Sequence, residues 1–309
     1  MKNTLGQFLV GLIGLANCAV SLAQSPDLGK FRAFVASPPY SVLVKGVPRA
    51  VNLGGMARHH TFAPLNTFVN AATGQADVAT MLAGDPVELK DGNGVYWGAS
   101  IQPQGVPGRI AIAGERLMIA YRAGDAVVAG KSRTQISSYA VPARQKVAWE
   151  LSFTLGNAEL RTGWPVAPVA SHPVAIWELK APDAQPSLTM VVDTNPADPQ
   201  SLSLIFGRRS GMAATTTRIA QVNGINRYQT ISVVMEAYLD ERDLLQQGQG
   251  YWRTWVNGNL VLDTVGPTLS ARANEPHQWF LATYLYQDSE PVPDTWITYW
   301  SAARMLVPN

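Results

Sequence analysis

Short apolar or alternating runs recur along the chain after residue 108, and clusters of Gly, Pro, Asn and Asp separate them. Runs of this length that alternate or are rich in β-branched residues predict strands. Only 240–247 (DERDLLQQ) is typical of a helical turn or two. Many short strands and almost no helix predict an all-β jelly-roll β-sandwich of antiparallel sheets. The predicted strands are 116–122, 134–140, 146–154, 173–180, 187–193, 201–206 and 229–239.

The strongest local signal is Asn257-Gly258, which separates two apolar runs, GYWRTWV and NLVLD. A tight primed turn needs positive φ at both central residues, and Asn-Gly favours it, so 250–263 is predicted to be a hairpin. Side chains alternate along its first strand, which puts Arg253 and Trp255 on one face. Sugars can stack on rings of that face while the other face fills the core. Burial in the core is the competing interpretation for any one ring.

Residues 1–23 have the pattern of an export signal. A charged start (MKNT) precedes an apolar run (5–20), and small residues then end at Ala23. This pattern predicts a secretory signal peptide cleaved after Ala23, and therefore a periplasmic or extracellular protein. A lipoprotein signal at Cys18 is the competing interpretation, but Asn17 is a poor residue before a lipidated cysteine. The apolar run is too short and too rich in glycine for a membrane span.

The remaining residues, 24–309, are predicted to form a single jelly-roll domain, because all-β sandwiches commonly reach this size. Residues 24–108 are richer in Pro and Gly and less periodic, so we expect opening strands and long loops packed on the sandwich. Cys18 is the only cysteine. Cleavage after Ala23 therefore leaves neither a disulfide framework nor a thiolate metal site. We expect a monomer.

The balance of charges limits the classes of partner. A formal net charge of +2 over 309 residues, without blocks of Lys or Arg, argues against nucleic-acid binding. An acidic ligand would have to be held by a local basic groove. The four histidines lack metal-ligand spacing, and 91–94 (DGNG) has the composition of a calcium loop without its ligand spacing, which favours a turn. We expect no cofactor, although jelly rolls can hold a structural calcium.

Four segments, 116–137, 173–182, 250–269 and 278–287, resemble in order and rough spacing those of the heparin-lyase-like and alginate-lyase-like polysaccharide lyases. Those families carry an Arg-x-Glu-Leu strand after a Gly-Asp turn, a Gln-x-His or Gln-x-Lys strand, a Trp-x-x-Asn-Gly hairpin and a Tyr-Phe-Lys-x-Gly-x-Tyr strand. The resemblance covers roughly residues 110–306. It implies a concanavalin A-like jelly roll whose concave groove binds an acidic polysaccharide and cleaves it by β-elimination.

Two pairs of polar residues carry the resemblance into the predicted groove. Arg133 matches the family arginine, and Gln135 stands where the glutamate usually is. Glu178 stands in the glutamine position, and Lys180 in the His/Lys position. The members of each pair are two residues apart, so they project from one face of their strand. The competing interpretation is a set of solvated polar residues on two strands.

The last motif departs most from the family. Aligning Trp279-Phe280 with Tyr-Phe puts Leu281 at the lysine and Leu285 at the acid/base tyrosine. Tyr284 and Tyr286 are each one residue out of register, and a one-residue offset moves a strand side chain to the other face. Either a bulge restores a tyrosine or the usual acid/base residue is missing.

β-Elimination from a uronate needs a group that neutralises the carboxylate, a base and an acid. The resemblance and the strand geometry suggest Arg133 and Gln135 for the first role, Lys180 or His172 for the base, Tyr284 or Tyr286 for the acid, and Glu178, Arg253 and Trp255 for substrate binding.

Two alternatives stay open. One is a secreted carbohydrate-binding sandwich without catalysis, which Leu281 and Leu285 favour. The other is a glycoside hydrolase, which needs two carboxylates facing one groove. Glu178 is one candidate, but Glu150 and Glu236 lie in apolar strands with no visible pairing to it, so the hydrolase ranks last.

Overall fold

The described part of the chain carries almost all of the predicted sandwich. The computed structural model describes residues 27–33, 41–44, 47–50, 65–70, 87–91, 94–98, 101–102, 109–113, 116–125, 132–141, 143–165, 173–181, 185–195, 197–198, 200–209, 216–269, 277–285 and 294–309. The predicted signal peptide, 1–23, lies outside the described residues. In the described part, no helix is long and apolar enough to cross a membrane.

The described elements are strands, apart from one short 3₁₀ helix, Leu28–Lys30. The strands are β1 (Phe31–Ala33), β2 (Ser41–Val44), β3 (Val47–Ala50), β4 (Leu65–Asn70), β5 (Val87–Asp91), β6 (Gly94–Gly98), β7 (Ile101–Gln102), β8 (Ile110–Ala113), β9 (Arg116–Tyr121), β10 (Ser132–Val141), β11 (Lys146–Leu155), β12 (Val174–Lys180), β13 (Leu188–Thr194), β14 (Leu202–Arg208), β15 (Thr217–Ile225), β16 (Thr230–Tyr238), β17 (Tyr251–Val256), β18 (Asn259–Val265), β19 (His277–Leu285) and β20 (Trp296–Pro308).

Two large antiparallel sheets enclose the core. Sheet I has the order β18-β17-β16-β11-β20-β9-β8, with β1 also paired to β20, and sheet II has the order β15-β14-β13-β12-β19-β10-β7. The strands from β9 to β12 alternate between the two sheets, and β18, β19 and β20 do so again. This repeated crossing is typical of a jelly roll. The predicted all-β jelly-roll sandwich is confirmed.

The N-terminal part contributes strands to both sheets. β1 pairs with β20 in sheet I, and β7 pairs with β10 in sheet II. β2 and β3 form a hairpin, and β4, β5 and β6 form a small sheet whose last strand contacts β10. Asp91 pairs with Gly94 across β5 and β6, and residues 92–93 of the turn predicted there lie outside the described residues. That all of 24–108 packs on the sandwich stays a prediction.

Large aromatic side chains from both sheets meet in the core. Trp149 of sheet I contacts Trp177 of sheet II edge to face, with ring centroids 5.2 Å apart. Phe206 of sheet II contacts Trp252 of sheet I in the same way at 5.9 Å. All four side chains are buried. Edge-to-face pairs add to the free energy gained from burial, so these rings stabilise the contact between the sheets.

The hairpin predicted at Asn257-Gly258 is confirmed. These two residues join β17 to β18 with φ of 48° and 81°, the positive values that a tight primed turn requires. The Asn257 side chain also accepts a hydrogen bond from the backbone N–H of Ser232 at 2.9 Å. The turn is thus fixed to the neighbouring strand β16 as well.

Three strands after residue 108 were not predicted from the sequence pattern: β8, β15 and β20. In β20, Ala302 pairs with Ser152 while Trp300 pairs with Phe153, so Ser301 is the extra residue of a bulge. A bulge interrupts the alternation of faces on which recognition of a strand depends. β20 is nevertheless an inner strand of sheet I, between β11 and β9.

The helical turns predicted for 240–247 are wrong. The segment is a loop with hydrogen-bonded turns at its end, and its charged residues organise it. The buried carboxylate of Asp240 accepts hydrogen bonds from the backbone N–H groups of Arg242 and Gln249 and from the Arg242 guanidinium. An Asp side chain that bonds nearby backbone N–H groups competes with helix formation.

Candidate active site

A β-bulge in β12 decides which side chains sheet II turns away from the core. The register of β12 against both β13 and β19 shifts between Ala175 and Trp177. Ile176 and Trp177 both pack into the core, although they are consecutive. Glu178 therefore lies on the same side of the strand as Ala175, away from the core. This side of sheet II is called the outer face.

Strand β19 supplies a tyrosine to the outer face. Trp279, Leu281 and Leu285 pack in the core. The alternating positions Phe280 and Tyr284 therefore face outward. Leu281 and Leu285, which the alignment put at the lysine and tyrosine of the family motif, thus lie in the core, and the outward positions four residues apart are Phe280 and Tyr284.

Arg133 and Tyr284 are neighbours on the outer face. They are paired across β10 and β19, and the Arg133 Cζ atom lies 5.8 Å from the centroid of the Tyr284 ring. The Arg133 Nε atom is buried and has no hydrogen-bond partner among the described residues. Gln135 lies two residues further along the same face, opposite Ala282, and is 3% exposed. Arg133 thus retains an N–H group that can donate a hydrogen bond to a carboxylate ligand.

Glu178 and Lys180 form an ion pair beside them. Lys180 Nζ lies 3.5 Å from Glu178 Oε2, and its side chain is 14% exposed while that of Glu178 is 0% exposed. The same ammonium lies 4.7 Å from the centroid of the Phe280 ring. The lysine on this face thus comes from β12 and not from β19.

The surroundings of Tyr284 favour its neutral phenol. Burial raises the pKa of Tyr284 well above its usual range, and the negative charge of Glu178 raises it further, whereas the positive charge of Arg133 lowers it. The ring is 6% exposed. A phenol in this environment stays protonated at neutral pH, which suits proton donation and not proton abstraction.

A small apolar floor continues the outer face beyond Tyr284, and sequence reasoning missed it. Ala175, Val191 and Ile205 form a buried cluster with Ala282 and Tyr284, separate from the main core. Runs such as SLTMVVD and SLSLIF carry apolar residues on both faces, which is the signal that could have revealed a second apolar surface.

Arg253 and Trp255 do not belong to this site, which corrects their predicted grouping with Arg133. Both lie on β17 of sheet I. Side chains alternate along that strand, and Trp252 on its other face packs in the core. Arg253 and Trp255 thus face away from sheet II, with the core between them and Arg133. Arg253 pairs with Asp263 at 3.1 Å.

The remaining candidates are resolved in part. His172 and Tyr286 lie outside the described residues. Glu150 alternates with the core residues of β11, and Glu236 with those of β16, so both lie on the far side of sheet I from Glu178. A two-carboxylate hydrolase site built from these residues is therefore excluded.

A metal site finds no support in the described part of the chain. There, no group of three or more His, Cys, Asp or Glu side chains could hold a metal ion. The structural calcium that the fold class allows stays a prediction.

Comparisons with known proteins find similarity in structure alone: no protein-family model and no curated protein matches the sequence. An endo-β-1,4-glucuronan lyase from the fungus Trichoderma reesei is 12% identical over 79% of this chain and 95% of its own, with a TM-score of 0.46. An alginate lyase from Klebsiella pneumoniae is 10% identical over 63% and 83%, at 0.45. Alginate lyase A1-II′, of polysaccharide lyase family 7, is 10% identical over 66% and 85%, at 0.47.

These similar structures are jelly-roll polysaccharide lyases, the class that the sequence motifs resemble. With identities of 12% or less and TM-scores below 0.5, the similarities assign no substrate, reaction or residue role to this chain.

Replacing Glu178 by Gln tests the electrostatics of the site. We expect the pKa of Tyr284 to fall in Glu178→Gln, because a neutral amide no longer disfavours the tyrosinate. NMR titration of carbon-labelled tyrosine measures it, with the Tyr284 signal assigned by its loss in Tyr284→Phe. Glu150→Gln, on the far side of sheet I, is the control and should leave this pKa unchanged. A Tyr284 pKa that stays constant or rises in Glu178→Gln contradicts the interaction.

Proposed function

We propose that the protein is a lyase that cleaves a uronate-containing polysaccharide by β-elimination on the outer face of sheet II. The observation that carries the proposal is the contact of a cation, Arg133, with a buried tyrosine, Tyr284, on the adjacent strands β10 and β19. This combination supplies positive charge and a proton donor at one place, and both are requirements of the reaction.

The first requirement is a positive charge at the uronate carboxylate. Neutralising that charge acidifies the adjacent C–H bond and stabilises the enolate-like transition state. Arg133 suits this role because its buried Nε atom has no hydrogen-bond partner in the described part of the chain. Gln135, on the same face, adds an amide beside it.

The second requirement is an acid for the leaving group. As the C–H bond breaks, its electron pair forms the new double bond, the bond to the leaving oxygen breaks, and that oxygen takes a proton. Tyr284 suits this step because its phenol carries a proton at neutral pH and its ring lies beside Arg133. Arg133, its neighbour, lowers the pKa and so stabilises the tyrosinate left after transfer.

The third requirement is a base for the abstracted proton. Lys180 is poorly placed, since its Nζ atom contacts Glu178 and the Phe280 ring and its strand register sets it opposite Gln278, six residues along β19 from Tyr284. His172, which precedes β12, and the Glu178 carboxylate remain the candidates. Comparing the turnover of His172→Ala with that of Glu178→Gln identifies the base, because proton abstraction should be lost only in the variant that lacks the base.

A non-catalytic carbohydrate-binding protein is the second candidate, and Phe280 favours it. The resemblance implies a lysine four residues before the tyrosine on this strand, and the outward-facing residue there is a phenylalanine. An aromatic ring beside a cation, here Phe280 beside Lys180, can bind a sugar without chemistry. Release of an unsaturated uronate from alginate, glucuronan or heparin separates the two functions, because a binder produces none.

Replacing Arg133 tests charge neutralisation. Arg133→Ala should lower turnover about a hundredfold, a loss on the order of 3 kcal/mol in transition-state stabilisation, while substrate binding weakens less. The ultraviolet absorbance of the unsaturated product measures turnover. Arg253→Ala on sheet I is the matched control and should retain activity. Equal losses in both variants would place the site elsewhere.

Replacing Tyr284 tests the acid. Tyr284→Phe should cut turnover by roughly a hundredfold or more while the affinity for the polysaccharide stays nearly constant, since only the transferable proton is removed. Tyr251→Phe is the matched control, because burial and Glu236 likewise raise the pKa of Tyr251, but on the outer surface of sheet I. Full activity of Tyr284→Phe would remove Tyr284 from the mechanism.

We also propose that the protein is exported with cleavage of residues 1–23, on the strength of the sequence pattern. N-terminal sequencing of protein secreted by a bacterial host should give Gln24 as the first residue. Ala23→Arg should block this cleavage, because a large charged residue does not fit directly before the cut. A secreted protein that still begins at Met1 would contradict the proposal.

A further inference from the structure

We propose that Arg218, Gln221 and Asn223 on the edge strand β15 form a second binding site for the acidic sugar chain, several sugar units from Arg133 and Tyr284. This site would hold a distant carboxylate of the polysaccharide and give the protein a preference for long chains. The inference rests on the proposed function for the identity of the ligand, whereas the site itself rests on the geometry of sheet II.

One continuous row of side chains joins the two sites across the sheet. Each residue in it is paired with the next on the adjacent strand, from β10 to β15. The row is Arg133, Tyr284, Ala175, Val191, Ile205 and Gln221. A ligand that lies along this row crosses the strands and contacts both ends of the outer face.

A bulge in β15 turns Arg218 to the same face. The pairing of β14 with β15 shifts between Phe206 and Gly207, so that Phe206 lies opposite Ala220 and Gly207 opposite Arg218. Ile219 and Ala220 are consecutive, yet both pack against the core. Arg218 and Gln221, on either side of them, therefore share the outer face.

Hydrogen bonds hold this group of side chains in place. Arg218 Nη1 donates to Gln221 Oε1 at 2.8 Å, and Gln221 Nε2 donates to Asn223 Oδ1 at 2.5 Å and to Ser203 Oγ at 3.1 Å. Ser203 Oγ in turn donates to Asn223 Oδ1 at 2.8 Å. Side chains fixed before a ligand arrives lose less conformational entropy on binding, which favours affinity.

The charges and exposure of this edge suit an anionic chain. Arg218 and Asn223 are exposed. Among the described hydrogen bonds, Arg218 donates one, from Nη1. Its other N–H groups can therefore donate to a carboxylate. Asp193 is the nearby acid on the outer face, opposite Ser203, and its Oδ1 atom accepts from the backbone N–H of Thr194 at 2.8 Å. Glu178, the other acid of this face, is paired with Lys180.

The spacing fits a chain with a carboxylate on each unit. Neighbouring strands lie about 4.8 Å apart, so the five intervals from β10, which carries Arg133, to β15 span about 24 Å. That length accommodates several sugar rings. Between the charged ends, Val191 and Ile205 offer an apolar floor to the C–H faces of the sugars. A polyuronate can thus pair one carboxylate with Arg133 and a later one with Arg218.

Arg218→Gln tests the inference by chain length. For the polymer that the protein cleaves, the KM should rise roughly three- to tenfold with kcat nearly unchanged, because the contact lies far from the reacting bond. For a trisaccharide of the same sugar, the KM should not change. Raising the salt concentration should shrink the difference between wild type and variant, since an exposed charge is screened. Arg253→Gln on sheet I is the control and should match the wild type throughout.

A binding experiment separates failure of this inference from failure of the proposed function. Full-length Tyr284→Phe protein, with and without Arg218→Gln, is titrated with alginate and with glucuronan by affinity electrophoresis. If the wild type has no lyase activity but Arg218→Gln weakens binding and Arg253→Gln does not, the lyase proposal fails and the second site stands. If activity is present but Arg218→Gln changes neither the KM nor the binding of long chains, the second site is overturned.

Discussion

In β12, Ile176 and Trp177 follow each other directly, yet both side chains enter the core between the sheets. With strict alternation, Ile176 facing inward would turn Trp177 outward and Glu178 inward. The carboxylate of Glu178 and the ammonium of Lys180, which share a face, would then both enter the core among aromatic rings, and burying an ion pair in this way costs several kcal/mol. The bulge avoids that burial and keeps Trp177 against Trp149, so the packing of the core and the chemistry of the outer face depend on the same extra residue.

The protonation state of Tyr284 follows from a competition that this bulge makes possible. Burial and the negative charge of Glu178 favour the neutral phenol, and Arg133 opposes them. A carboxylate ligand paired with Arg133 would weaken the opposing influence, since the cation would then be partly neutralised. A ligand carboxylate on Arg133 therefore favours the protonated phenol before the proton transfer, and Arg133 stabilises the tyrosinate less while the ligand is bound.

The far side of sheet I shows that residue types and shifted pKa values do not identify a site by themselves. There, Glu236 accepts a hydrogen bond from Tyr251 at 2.8 Å and pairs with Lys146 at 2.9 Å, and burial raises the pKa of Tyr251. This group resembles the Glu178 group in composition. The two groups differ in their arginines. Arg253, beside Glu236, is paired with Asp263. The Nε atom of Arg133 has no hydrogen-bond partner among the described residues.

The amino-acid sequence by itself determined what depends on neighbours along the chain. The main strands, the Asn257-Gly258 hairpin and the shared face of Glu178 and Lys180 follow from alternation and turn preference. Tertiary structure decided which face looks away from the core and which strands are adjacent. Tyr284 meets Arg133 because β19 lies between β10 and β12, and it faces outward because Leu281 and Leu285 fill the core. Packing across the sandwich decides which face of each strand points into the core. One extra residue in a strand, with no local signature in the sequence, exchanges the two faces.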